Sequence, residues 1–81
     1  MLTIKGWVFQ TPDGQYVRFQ EYYRYGFRTV LARIGDINEA TFFLAQVLER
    51  DYRHALRALG IDGKFVRVVR QTLTELEPQN D

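Results

Sequence analysis

Thr11-Pro12-Asp13-Gly14 separates two β-forming runs, and it constrains the fold of this chain more than any other feature. Proline presets φ for a turn, while Asp-Gly supplies an acceptor and a residue that tolerates positive φ. Before the turn, Ile4 to Phe9 carries Ile4, Trp7, Val8 and Phe9. After it, Gln15 to Gln20 alternates, with Val17 and Phe19 on one face and Tyr16, Arg18 and Gln20 on the other. Two such runs around a P-D-G turn predict a hairpin, so the fold is built on antiparallel β-structure. Glu21 to Gly26 reads as an aromatic-rich connection that bends at Gly26. Phe27 to Ile34, with Val30, Leu31 and Ile34, then reads as a third strand halted by Gly35.

The period changes after Gly35. Asp36, with Glu39 three residues on, has the pattern of a capping box, for either a helix or a single turn. From Leu44 the spacing predicts a helix, with Leu44, Val47, Leu48, Tyr52, Ala55, Leu56 and Leu59 along one stripe. Glu49 and Arg53 form an i,i+4 pair on its polar side. Gly60 occupies the helix-stop position, where a left-handed residue needs no Cβ. Asp62-Gly63 makes another turn, and Lys64 to Arg70 is the last strand. The expected fold is α+β: a small antiparallel sheet in the order β-β-β-α-β, with one long helix packed on one face. Residues 1–71 form one domain, and 72–81, polar and containing Pro78, are expected to be a flexible tail. One sheet face then has no helix to cover it.

Composition narrows the chemistry. With 81 residues and 46% hydrophobic content, the chain supports a single small core. It has no cysteine, no serine and one histidine. Disulfides, zinc-thiolate sites and serine or cysteine nucleophiles are therefore excluded. His54 stands three residues after Asp51, which is too little for a metal site or a general base, so no catalytic residues, metal or cofactor are expected. No run suits a signal peptide or a membrane helix, and a soluble cytoplasmic protein is expected. Formal net charge is +1, and nine of the eleven basic residues are arginines.

Function, if not catalysis, must lie in binding. Tyr22-Tyr23-Arg24-Tyr25-Gly26-Phe27-Arg28 is the densest unusual segment, and Tyr and Arg dominate protein-binding hot spots. Asp13-Gly14-Gln15-Tyr16-Val17-Arg18-Phe19 is echoed by Asp62-Gly63-Lys64-Phe65-Val66-Arg67-Val68. If Val17, Phe19, Val66 and Val68 face the helix, alternation puts Tyr16, Arg18, Phe65 and Arg67 on the open face. The candidate partner-binding residues are thus Tyr16, Arg18, Tyr22, Tyr23, Arg24, Tyr25, Phe65 and Arg67. The same aromatics, with Arg50, Arg53 and Arg57 on the helix, suit a single-stranded nucleic acid. Phosphate contact there would require these arginines to be free of carboxylate partners.

Asp36-Ile37-Asn38-Glu39-Ala40-Thr41-Phe42-Phe43, standing between strands and an amphipathic helix, resembles a pattern of small phage and prophage accessory proteins. In these, strands lead into D-x-x-x-A-x-x-F, then a helix and a closing strand. The resemblance spans roughly Val17 to Val69. Here Leu44-Ala45-Gln46-Val47 departs from the cap and acidic residue that usually follow. It implies a small non-catalytic effector that binds host machinery, including inhibitors of bacterial defence of the anti-CRISPR kind. The expected function is therefore steric blocking of a larger host protein or defence complex, with single-stranded nucleic-acid binding as the alternative. A homodimer covering the open face is a further expectation.

Overall fold

The computed structural model describes residues 2–72. Its elements are β1 (Leu2–Gln10), β2 (Tyr16–Arg24), β3 (Phe27–Gly35), a 3₁₀ turn (Ile37–Glu39), α1 (Arg50–Leu59) and β4 (Lys64–Thr72). The four strands form one antiparallel sheet in the order β3-β2-β1-β4, with α1 packed on one face, so the fold is α+β. The expected tail lies outside the described residues, except Thr72, which ends β4.

The sheet is two ribbons rather than one even surface. β1 pairs with β4 over nine residues, and β2 with β3 over nine more. Between β1 and β2 the ladder has one pair, Gln10↔Tyr16, at the Thr11–Gly14 turn. Beyond that pair the predicted hairpin splays, and the chain after β3 fills the gap. Trp7 and Phe43 exchange backbone hydrogen bonds of 2.8 Å in both directions. On the β2 side, Thr41 N–H donates to Val17 C=O, and Phe19 N–H donates to Thr41 Oγ1 at 2.7 Å. Splaying would have orphaned these β1 and β2 groups, and Thr41–Phe43 satisfies them.

This segment threads from one face of the sheet to the other. Phe42 lies against Gly6 on the open face, where an added Cβ would meet its ring at 2.3 Å and Phe43 C=O at 2.5 Å. Arg70 sits over the Phe42 ring at 4.8 Å. Phe43 instead enters the helix side, edge-on to Phe19 and Phe65. The main core is there: Phe9, Val17, Phe19, Ala32, Ala55 and Leu56, with Phe43, Leu48, Tyr52 and Phe65 packed around them. Val17 is fully buried, and Tyr52 stacks on Phe19 with centroids 4.6 Å apart.

Three sequence expectations are corrected. The helix begins at Arg50, not Leu44, and Leu44 and Val47 are exposed. Thr41–Phe43 is extended between the ribbons, and the chain still has to clear the sheet before it can coil. After Asp36 the single turn forms rather than a helix, a 3₁₀ turn that ends at Glu39, but Asp36 makes no side-chain cap, so the capping box is not formed. Glu21–Arg24 is strand rather than connection, leaving Tyr25-Gly26 as a two-residue turn. Gly60 ends α1 in the left-handed region, φ 68°, as its position predicts.

Candidate functional site

The β2–β3 hairpin runs past the core and ends as a finger. Every residue from Glu21 to Thr29 is exposed, although the strand pairing continues to Arg24↔Phe27. Pairing holds because both strands are rich in β-formers and the turn has the right hand. Tyr25 (φ 52°) and Gly26 (φ 80°) both have positive φ, the geometry of a type I′ hairpin turn. Such turns favour Asn-Gly, because a bulky side chain is strained in that region. A tyrosine stands there instead, 88% exposed. Tyr23 is 73% and Phe27 75% exposed, and Arg24 lies 5.7 Å from the Tyr25 ring centroid.

The rings are distributed around the finger. Paired residues share a face, so Tyr23 and Arg28 lie on the helix side, while Tyr22, Arg24, Phe27 and Thr29 lie on the open side. Tyr25 caps the end. On the open side toward the core follow Gln20 opposite Leu31, then Arg18 opposite Arg33, then Tyr16 opposite Gly35. Tyr22 O–H donates to Gln20 Oε1 at 2.8 Å.

Arg28 fixes the helix side of the finger. Its guanidinium donates to Glu21, to Glu49 at 3.2 Å and to Asp51 at 3.4 Å, and lies 5.8 Å from the Tyr52 ring centroid. Tyr52 O–H donates to Glu21 at 2.9 Å. The Arg28 hydrogen bond, then the one from Tyr52, holds the Glu21 carboxyl below its ordinary range. Glu21 in turn holds the Arg28 guanidinium further into its charged form. Burial, then the Glu21 hydrogen bond, pushes the Tyr52 hydroxyl up. Glu49 therefore turns to Arg28 rather than to Arg53, and the expected i,i+4 pair is replaced by a tie from helix start to hairpin. With Glu49 and Asp51 engaged this way, Arg50, Arg53 and Arg57 have no ion-pair partner among the described residues.

The predicted site residues divide. Tyr22, Tyr23, Arg24 and Tyr25 come together on the finger, and Tyr16 and Arg18 share its open side. Phe65 and Arg67 do not join them. Phe65 is half-buried, edge-on to Phe9 and Phe43, and Arg67 sits 4.9 Å over the Trp7 ring on the helix side. The reason is register. Gln10 pairs with both Tyr16 and Lys64, so the second copy of the echoed motif is offset by one residue. A slip of one reverses every side chain. Two residues the sequence reading left out belong to the site: Arg33, placed by its pairing with Arg18, and Phe27 beside Arg24.

Among the described residues, no three His, Cys, Asp or Glu side chains are grouped to hold a metal ion, and no helix is long and apolar enough to cross a membrane. Compared with protein-family models, curated proteins and solved structures, the chain matches none.

Proposed function

We propose that this chain is a non-catalytic protein-binding module, of phage or mobile-element type, that inserts its β2–β3 finger into a cleft of a larger host protein and blocks it sterically. Tyr25 carries the reading: a large exposed ring at a positive φ, where asparagine or glycine would be less strained. Residues held in sparsely populated backbone regions cluster at functional sites. Tyr23, Tyr25 and Phe27 surround the tip, and rings of this size bury about 150–250 Å² each when covered. Together they supply most of the roughly 800 Å² per partner typical of a stable protein complex. The open-side rings Tyr16, Tyr22 and Phe27 could also stack bases, and Arg50, Arg53 and Arg57 are unpaired among the described residues, so the response to salt and nuclease is what separates the two readings.

The test is an affinity pull-down from bacterial lysate with and without nuclease, at low and high salt. A protein should be captured that survives both treatments, since desolvated apolar contacts respond weakly to salt. It should be lost with Tyr23→Ala/Tyr25→Ala, whose melting temperature stays at the wild-type value. Recovery of nucleic acid alone, released by salt, would overturn the proposal.

A further inference from the structure

We propose that the open side of the β2–β3 ribbon is a second contact region, which takes an extended acidic segment of the same protein partner. The inference rests on the reading that the partner is a protein, and its test turns on Arg18 and Arg33, which lie below the finger tip. Arg18 and Arg33 are direct cross-strand partners. Like charges placed opposite each other destabilise a sheet, so this pair costs stability in the isolated chain. Neither arginine has an ion-pair partner among the described residues. β2 and β3 add no acidic residue to this side, because Glu21 faces the helix and holds Arg28. Glu39 is the carboxylate that approaches, lying against Gly35 one row away.

Spacing favours an extended occupant. Tyr22, Tyr23, Arg24, Thr29, Leu31 and Arg33 line a shallow depression with an arginine at each end. Side-chain rows on one face of a strand repeat every ~6.8 Å, so Arg24 stands ~20 Å along the ribbon from the Arg18/Arg33 row. Acidic residues on alternate positions of an extended peptide repeat at the same interval, and two of them six residues apart reach both ends. Guanidinium groups grip carboxylates with paired, charge-assisted hydrogen bonds. Two rows lie in between, Tyr22 opposite Thr29 and Gln20 opposite Leu31, and they hold one ring, whose hydroxyl donates to Gln20. One ring between the arginines gives no run of stacked bases, which favours the peptide over a nucleic-acid strand.

The experiment is fluorescence anisotropy of the full chain at low salt with three labelled probes. They are a ten-residue peptide with glutamate at alternate positions, its glutamine counterpart, and a ten-nucleotide oligothymidine. The acidic peptide should bind and the glutamine peptide should not. Arg18→Gln/Arg33→Gln should weaken binding by about tenfold or more, the effect of losing hydrogen bonds to charged groups. That variant should melt no lower than wild type, since it removes a repulsion. Unchanged peptide affinity in the arginine variant, while the pull-down still depends on Tyr23 and Tyr25, overturns this inference alone. Tighter binding of oligothymidine than of the acidic peptide overturns it in favour of nucleic acid.

Discussion

Phe43→Ala tests whether the segment threaded between β1 and β2 organises the core. The Phe43 ring lies edge-on to Phe19, Tyr52 and Phe65, with centroids at 5.9, 6.0 and 5.7 Å. Truncating a core phenylalanine to alanine costs about 3–5 kcal/mol. Phe43 is half-buried, which puts its cost at the lower end, about 3 kcal/mol. In a domain of this size each kcal/mol moves the melting temperature by ~4–8 °C, so melting should fall by about 12–24 °C. Far-UV circular dichroism measures this, and fluorescence of Trp7, whose backbone pairs with Phe43, should report the same transition. The comparison that decides is Leu44→Ala. Leu44 is 76% exposed, so its truncation should stay within about 0.5 kcal/mol of wild type. Equal losses from the two substitutions would restore Leu44 to a helix stripe and refute the threaded arrangement.

Thr41→Val keeps the shape but removes the oxygen that accepts from Phe19 N–H, leaving a part-buried donor unpaired. It should cost about 1–3 kcal/mol in urea unfolding, and an unchanged midpoint would mean that water replaces the hydroxyl without loss. Tyr25→Asn relieves the positive φ of the turn and should raise stability by up to about 1 kcal/mol while weakening partner capture. Lower stability would place the Tyr25 ring in a packing role. Acid stability follows from Glu21. Its native carboxyl titrates below the usual 4.5, so the native state binds fewer protons there than the unfolded chain. That contribution is present above the ordinary value and lost as pH falls through the native one. Glu21→Gln should therefore flatten the fall of melting temperature below pH 4.5, and an unchanged acid limb would show that Glu21 is not the titrating group.

Much of the architecture was legible because it depends on local chemistry. The Thr11–Gly14 turn, the stop at Gly60 and the strand after Asp62-Gly63 each need only a few neighbouring residues. The threaded segment was not legible, because nothing in Thr41-Phe42-Phe43 says that two strands will splay to receive it. Its absence from the sequence reading explains the misplaced helix start. Leu44 and Val47 fit a helical period by chance, whereas Leu48, Tyr52, Ala55 and Leu56 pack. The finger was visible as composition, but whether its rings were core or surface depended on where the helix began. The placement of Phe65 and Arg67 failed for a subtler reason. Two turns of similar sequence differ by one residue in register, and period-2 structure turns that difference into opposite faces.

The Arg28 cluster connects the fold to the proposed use of the finger. A two-stranded ribbon without a core beneath it is marginal in water, and a frayed tip would have to be ordered on binding. Single exposed ion pairs contribute little, chiefly because each must order two long side chains. Arg28 instead serves three carboxylates and a ring at once, so one ordered side chain supports several contacts. It does so one row below the turn, tying β3 to β2 through Glu21 and to the helix start through Glu49 and Asp51. The last paired row and the Tyr25-Gly26 turn are left to project from a fixed base. The same cluster draws Glu49 and Asp51 away from Arg50, Arg53 and Arg57, so the helix face stays basic. One arginine thus ties the base of the finger to the helix and sets the charge of its surroundings, so the rings at the tip project from an ordered base.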